Sequence, residues 1–173
     1  MTGASHLFQA WRTPMSIVTR PARRPDAPAM CQLLNAIILE GGTTAHREPF
    51  SQDKMIETYI EAPLGIACTV AVEDDSVLGF QSLEWCDPNW TGDHALPPDW
   101  TVIATYVAQA AKGRGIGRLL FAETIKAAKA ADVKTIDATI RHENTGGLAY
   151  YSRMGFVDYR QYDEACAKRF DLT

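Results

Sequence analysis

Hydrophobic residues recur along this chain with two different periods, and the alternation of the two predicts a mixed α/β domain. Short runs rich in β-branched residues, such as TVIATYV at 101–107, predict strands. Apolar residues spaced three and four apart predict amphipathic helices. The first helix is expected to start at an N-cap, Asp26, and to stop at Gly41 and Gly42.

The predicted elements follow the order β α α β β β α β α β β. Strands are expected at 16–20, 65–73, 77–86, 101–107, 134–141, 156–162 and 167–172, and helices at 26–40, 51–62, 116–132 and 144–154. The second and third strands flank the turn residues Asp74, Asp75 and Ser76, which indicates an antiparallel hairpin. We therefore expect a mixed, mostly antiparallel central sheet of about six to seven strands with helices on both faces.

Composition is typical of a single soluble domain. The chain has 173 residues, of which 46% are hydrophobic and 22% charged, and its net charge of −4 gives no reason to expect nucleic acid as a partner. No apolar run reaches the roughly 18 residues of a membrane span. The four cysteines lie too far apart for a zinc site, so no metal is expected, and they predict reduced thiols in a cytoplasmic protein. Residues 1–15 show no clear period, so we expect a mobile N-terminal extension before a domain at 16–173.

The stretch KGRGIGRLL at 112–120 places three glycines where a helix is expected to begin. Each glycine costs a helix about 1 kcal/mol relative to alanine, so a turn, a close contact or a ligand must offset that cost. The start of a helix offers unpaired amide groups and a partial positive charge, and a phosphate group can use both. Because Lys112, Arg114 and Arg118 add positive charge, the stretch predicts a phosphate site. A turn that only packs the helix on its strand is the alternative.

Two common phosphate-binding motifs fit this stretch poorly. A P-loop needs Gly-Lys followed by Ser or Thr, and the dinucleotide fingerprint Gly-x-Gly-x-x-Gly is one residue longer than the spacing found here. The stretch instead resembles the acyl-CoA-binding motif of the GNAT N-acetyltransferases, Gln/Arg-x-x-Gly-x-Gly/Ala, with Lys112 where Gln or Arg is usual. Tyr106 and Val107 before the motif resemble the family, as do Asn144, Tyr151 and the Gly155-Phe156 pair after it.

The resemblance covers about residues 16–160, and GGTTAHREPFS at 41–51 looks closest to phosphinothricin and amino-acid N-acetyltransferases. It implies the acyl-CoA N-acyltransferase fold, acetyl-CoA as cosubstrate and a small amine as acceptor. By resemblance, the cofactor-binding residues are Tyr106, Val107, Lys112, Gly113, Arg114, Gly115, Ile116, Gly117, Arg118, Asn144 and Tyr151.

The resemblance also implies chemical roles for two of these positions. Tyr151, by the family spacing, is expected to protonate the leaving thiolate as general acid, with its neighbour Tyr150 as the rival. In the family, strands splay apart beside the motif, and a free amide such as that of Val107 polarises the thioester carbonyl.

The general base has no single candidate. Many relatives carry a glutamate in the strand before the glycines, whereas TVIATYV has no carboxylate. Candidates elsewhere are Glu40, Glu84, Asp93, His94 and Asp99. Three tryptophans, Trp85, Trp90 and Trp100, cluster around the irregular stretch at 87–100. We expect them to pack in the core or in a dimer interface, or to line an acceptor pocket.

The expected assembly is a homodimer, with neither nucleic acid nor membrane as a partner. Because the strand carboxylate is missing, a non-catalytic acyl-CoA sensor remains an alternative function, and a nucleotide-binding protein is a third.

Overall fold

The computed structural model describes residues 16–92 and 94–172, and its helices and strands follow the predicted order. The predicted N-terminal extension lies outside the described residues. The strands are β1 (Val18–Pro21), β2 (Gly65–Glu73), β3 (Ser76–Trp85), β4 (Trp100–Val107), β5 (Thr135–Arg141), β6 (Val157–Gln161) and β7 (Ala165–Asp171). The helices are α1 (Ala27–Glu40), α2 (Gln52–Met55, continued by a wider helical turn over Ile56–Ile60), α3 (Ile116–Ala130) and α4 (Thr145–Arg153).

The seven strands form one sheet in the order β1-β2-β3-β4-β5-β7-β6. Among the described strands, β4 and β5 are the one parallel pair, so the prediction of a mostly antiparallel sheet is confirmed. Their pairing covers three positions and ends at Val102 and Asp137. Both strands continue beyond that point, to Val107 and Arg141, so a gap opens between their C-terminal ends.

Helices cover both faces of the sheet, as predicted. On one face α1 and α2 bury a core that includes Met30, Leu34, Met55 and Phe80. On the other face α3 and α4 bury a second core, which includes Phe121, Ile136, Tyr151 and Phe156. Each large apolar side chain buried in this way stabilises the fold by about 1.5–3 kcal/mol, so the two cores hold the helices on the sheet.

Helix α2 has a side-chain cap at its start, whereas the cap predicted for α1 is not formed. The Ser51 hydroxyl accepts a hydrogen bond from the Lys54 amide (3.1 Å) at the start of α2. Asp26 was expected to cap α1, but its side chain forms no cap. The Asp26 carboxylate instead accepts two hydrogen bonds from the Arg20 guanidinium, both at 2.8 Å, because a charged partner is available on β1. The ion pair therefore takes the place of the cap.

The polar side of β5 is buried over its first half, whereas Thr139 further along is exposed. Ile136, Ala138 and Ile140 face the α3–α4 core as expected. Thr135 and Asp137, on the opposite side of the strand, are also buried, at 6% and 5% exposure. β5 lies between β4 and β7 within the sheet, so both of its faces can be covered.

All four cysteines are free thiols, and three of them, Cys31, Cys86 and Cys166, are buried. In the part of the chain that the structure describes, no helix is long and apolar enough to cross a membrane. Within the same residues, no group of three or more His, Cys, Asp or Glu side chains is arranged to hold a metal ion.

Candidate functional site

A cavity of about 660 Å³, here called the fork cavity, lies beside the gap between β4 and β5. Its volume falls in the range of small-molecule and cofactor sites, roughly 300–1,000 Å³. It is lined by residues from β4, the start of α3, one side of α4 and the end of α1. Of the predicted cofactor residues, it brings together Tyr106, Val107, Lys112, Gly113, Gly115, Ile116, Gly117, Arg118, Asn144 and Tyr151.

The three glycines before and within α3 serve two different structural needs. Gly113 and Gly115 have φ angles of +79° and +78°, in the left-handed region that favours glycine. Gly117 has an ordinary backbone conformation, but an added Cβ would lie 2.5 Å from the Tyr150 ring. Two glycines therefore shape the turn, and the third allows α4 to approach α3 closely.

The N-terminus of α3 has no side-chain cap, in contrast to α2 and α4. Leu119 is the residue whose amide reaches back to the Gly115 carbonyl, at 3.1 Å. The amides of residues 116–118 precede that bond and have no carbonyl of the same helix to donate to. These donors lie in the lining of the fork cavity and are available to an anion.

The basic residues of the glycine stretch divide into two groups. Lys112 and Arg118 are exposed and line the fork cavity, as does Arg153 from α4. Arg114 does not belong to the lining. Its guanidinium instead pairs with the Glu73 carboxylate through hydrogen bonds of 2.7 and 3.1 Å, so that its charge is engaged at the end of β2.

Two adjacent tyrosines of α4 share a buried polar network beneath the fork cavity. The Tyr151 hydroxyl lies 2.8 Å from Thr105 Oγ1, and the Tyr150 hydroxyl donates to the Gly117 carbonyl at 2.8 Å. Gln81, which is 1% exposed, donates to Thr105 Oγ1 at 2.8 Å and to the Tyr150 hydroxyl at 3.2 Å. Burial raises the pKa of both tyrosines above the usual value of 10, so both are protonated at neutral pH.

Asn144 makes two contacts within the protein, although it lines the cavity. Its Oδ1 accepts a hydrogen bond from the Gly147 amide (2.8 Å), which confirms the predicted cap of α4. Its Nδ2 donates to the Thr43 carbonyl (3.0 Å) in the loop after α1. Asn144 therefore ties one wall of the fork cavity to the opposite wall.

The candidate bases occupy different environments. Glu40 is exposed at the end of α1 and lines the fork cavity. Glu84 is half-buried on β3, directly opposite Val102 of β4, and burial raises the pKa of its carboxyl group. Asp99 is exposed, and Asp93 lies outside the described residues.

A second cavity, of about 490 Å³, contains a buried acid that sequence reasoning missed. This cavity, here called the β5 cavity, is lined by His94, Leu96, Val102, Ile103, Asp137, Thr139, Tyr159, Tyr162, Glu164 and Ala165. Asp137 occupies a polar position in the alternating sequence of β5, and no functional role was predicted for it. The available signal was a carboxylate in the middle of a strand that otherwise carries small, β-branched and apolar residues.

A hydrogen-bonded chain of aromatic residues reaches the fork cavity from the α1–α2 face. His46 Nε2 lies 2.7 Å from the Tyr59 hydroxyl, which lies 3.0 Å from the hydroxyl of Tyr106. Tyr59 is buried, and Tyr106 belongs to the cavity lining. These hydrogen bonds anchor the loop after α1 and helix α2 to β4.

Of the three tryptophans, two pack against the fold and one does not. Trp85 packs against the α3–α4 core, and the Trp100 ring lies 5.4 Å from that of Tyr159. Trp90 is 58% exposed in the loop between β3 and β4.

Comparison with known proteins places this arrangement among acetyltransferases. The model of the acetyltransferase (GNAT) family matches residues 31–156. The chain is 27% identical over 158 residues to a phosphinothricin N-acetyltransferase of Streptomyces coelicolor, and the match covers 88% of each protein.

Solved structures share the fold. An N-acetyltransferase from Staphylococcus aureus Mu50 superposes with a TM-score of 0.77 at 23% identity, over 91% of this chain and 99% of that one. A phosphinothricin acetyltransferase from Sinorhizobium meliloti, solved in complex with AcCoA, superposes with a TM-score of 0.76 at 18% identity, over 91% of this chain and 89% of that one.

Proposed function

This chain belongs to the acetyltransferase (GNAT) family, and we propose that it transfers the acetyl group of acetyl-CoA to the primary amine of a small molecule. The observation that supports this proposal most strongly is the uncapped N-terminus of α3, whose first residues line the fork cavity. Gly113 and Gly115, which precede the helix, both have left-handed backbone conformations. Phosphate oxygens would accept hydrogen bonds from the amides at the start of α3, and Lys112 and Arg118 would add positive charge. The donor set suits the pyrophosphate of acetyl-CoA.

The thioester would lie at the other end of the fork cavity, near β4 and Tyr151. There the unpaired stretch of β4 leaves backbone groups free, and the Val107 amide would polarise the thioester carbonyl. The neutral amine nitrogen attacks the carbonyl carbon, so that a C–N bond forms and the C–S bond breaks. The sulfur gains one proton and the nitrogen loses one, which requires an acid and a base.

Tyr151 is the proposed acid because its network leaves a proton available. Thr105 Oγ1 already accepts a hydrogen bond from Gln81, so its own hydrogen can be donated to the Tyr151 oxygen. The Tyr151 hydrogen is then free to reach a ligand in the cavity. The Tyr150 hydrogen, in contrast, is engaged with the Gly117 carbonyl.

Glu84 is the proposed base, ahead of Glu40. A carboxylate with a raised pKa holds a proton more strongly at neutral pH, and burial has this effect on Glu84. Its position opposite Val102 also places it beside the point where β4 and β5 separate. Glu40, at the exposed end of α1, is in better contact with solvent.

Three further features belong to this proposal. The four free thiols are the state expected in a reducing compartment, which supports a cytoplasmic protein. Trp90, a large exposed apolar side chain, would suit the interface of a homodimer. The Streptomyces relative is named for the acetylation of phosphinothricin, which supports a small-molecule acceptor.

A non-catalytic acyl-CoA sensor is the second candidate, favoured by the absence of a carboxylate on β4. The test is release of CoA thiol from acetyl-CoA over a panel of primary amines, with mass spectrometry of the product. The enzyme predicts amine-dependent thiol release and an N-acetylated product of 1:1 stoichiometry. Binding of acetyl-CoA without amine-dependent release from any member of the panel would favour the sensor.

A further inference from the structure

The β5 cavity borders the gap between β4 and β5 at its beginning. Val102 and Asp137 form the last β4–β5 pair, and both line this cavity. The fork cavity takes its first β4 residue, Thr105, three positions further along the strand. Val102 shares the side of β4 occupied by Ala104 and Tyr106, which pack against the α1–α2 core. The β5 cavity therefore approaches the gap from the sheet face that α1 and α2 occupy.

Asp137 is a buried carboxylate with neutral hydrogen-bond donors. It accepts hydrogen bonds from the Tyr159 hydroxyl at 2.6 Å and from the Thr139 hydroxyl at 3.2 Å. Among the described residues it forms no ion pair, and Arg169 on the adjacent strand pairs with Asp171 instead, at 3.4 Å. Burial raises the pKa of the Asp137 carboxyl group, and the charge of Arg160, whose guanidinium lies 5.6 Å from the centre of the Tyr159 ring, opposes that shift without forming an ion pair with Asp137. A cation bound in direct contact would stabilise the ionised carboxylate further.

The remaining walls of the β5 cavity suit the body of an aromatic or apolar amine. The His94 and Tyr162 rings meet edge to face, with centroids 4.3 Å apart, and Tyr159 packs against Trp100 at 5.4 Å. Leu96 adds an aliphatic contact from the loop before β4. Aromatic faces attract a cation as well as apolar surface, so these walls complement Asp137.

The proposed base, Glu84, lies in a row of three side chains that ends at Asp137 in the β5 cavity. Glu84 lies opposite Val102, and Val102 pairs with Asp137, so the three form a row across β3, β4 and β5 on one face of the sheet. Adjacent strands are about 4.8 Å apart, which puts the Cα atoms of Glu84 and Asp137 about 10 Å from each other. An amine held at Asp137 would lie within reach of the Glu84 side chain.

We propose that the β5 cavity is the acceptor site and binds a protonated primary amine that carries a flat apolar body. The ammonium group lies at Asp137, and the body lies among Tyr159, Tyr162 and His94. This assignment rests on the proposed acetyl transfer, since it names the acceptor of that reaction.

The test is calorimetric titration of the full chain, saturated with CoA, with 2-phenylethylamine and with 2-phenylethanol, which keeps the body and lacks the charge. The wild type is expected to bind the amine at least tenfold more tightly than the alcohol. Asp137→Asn is expected to lower amine affinity at least tenfold while alcohol affinity stays within twofold. Asp158→Asn is the matched control, because Asp158 lies on β6 and accepts a hydrogen bond from Lys168 but does not line the cavity.

A second variant covers the case in which Asp137→Asn fails to fold. Leu96→Trp would fill the cavity from an irregular loop and is expected to lower the affinity for both probes at least tenfold. Absence of amine binding by the wild type, equal binding of amine and alcohol, or unchanged amine binding in the folded variants would overturn the assignment. Failure of the proposed function has a different signature, namely loss of acetyl-CoA binding or of CoA release in the wild type.

Discussion

At the scale of single residues, the adjacent tyrosines of α4 show how position decides chemistry. Neighbours on a helix point in different directions, so Tyr150 meets Gly117 while Tyr151 meets Thr105. Gln81 contributes to both environments, and the Thr124 hydroxyl donates to its Oε1. The network therefore orients the two hydroxyl groups differently although their side chains are identical.

Replacing each tyrosine by phenylalanine separates these roles. Tyr151→Phe is expected to lower kcat by about 100-fold or more, the usual contribution of a general acid, with acetyl-CoA affinity within about threefold. Tyr150→Phe is expected to lower Tm, because the Gly117 carbonyl loses its donor, and to keep kcat within about threefold. Steady-state thiol release and calorimetry measure both quantities. Equal losses of kcat in the two variants would exclude the assigned difference.

His46 adds a pH-dependent term to stability. Burial and the nearby charge of Lys54 lower the pKa of His46 in the folded protein below its ordinary value of 6.5, while its neighbours Tyr59 and Phe50 carry no charge. The unfolded chain then binds more protons, so stability rises with pH across this range. The loss of stability caused by the lowered pKa of His46 is absent well above pH 6.5 and increases as the pH falls.

We therefore expect the free energy of unfolding to depend more steeply on pH in the wild type than in His46→Gln. Urea unfolding at pH 7.5 and pH 5.5 should show the wild type losing more free energy of unfolding than the variant on acidification. The same loss in both proteins would show that His46 does not carry this term.

At the scale of elements, α3 and α4 start with contrasting solutions to the same problem. α4 has Asn144 as its cap, and the Asn144 side chain accepts a hydrogen bond from the Gly147 amide. α3 has glycine at the equivalent position and no cap, so its amides remain available to a ligand. Glycine is the second residue of both helices, Gly117 in α3 and Gly146 in α4, which makes the two positions comparable.

Alanine at these two glycines should act in opposite directions. At Gly117 the new Cβ would lie 2.5 Å from the Tyr150 ring, so Gly117→Ala is expected to destabilise the protein by about 1–3 kcal/mol. At Gly146 the nearest atom lies 3.9 Å away, so Gly146→Ala is expected to be neutral or to stabilise by up to about 1 kcal/mol. Chemical denaturation measures both. A neutral Gly117→Ala would show that α3 and α4 are not held in close contact.

At the scale of the whole molecule, the features predicted correctly from sequence are the local ones. The hairpin of β2 and β3, the cap at Asn144 and the glycine turn depend on residues a few positions apart, so the sequence carries their signals directly. Those signals, with the family resemblance, predicted the strand order along the chain and most of the fork cavity.

The features that were missed depend on which elements pack together. Asp137 lies on the side of β5 that the alternating sequence gives to polar residues. Its burial, however, follows from the placement of β5 inside the sheet and from Tyr159 on β6. Arg114 stands in the basic motif, yet its partner Glu73 is 41 residues away in sequence. The β5 cavity combines a loop, four strands and a turn, and no local pattern indicates such a combination.

The central claim is that acetyl-CoA binds in the fork cavity with its phosphates at the start of α3. Calorimetric titration of acetyl-CoA into the wild type, Lys112→Glu and Lys129→Glu tests it most directly, because both lysines are exposed and Lys112 alone of the two lines the cavity. We expect one site per chain, and an acetyl-CoA affinity at least about tenfold lower in Lys112→Glu but within twofold of wild type in Lys129→Glu. The difference in acetyl-CoA affinity between Lys112→Glu and the wild type should become smaller as the salt concentration rises. Equal affinities in all three proteins, or no binding to the wild type, would contradict the account.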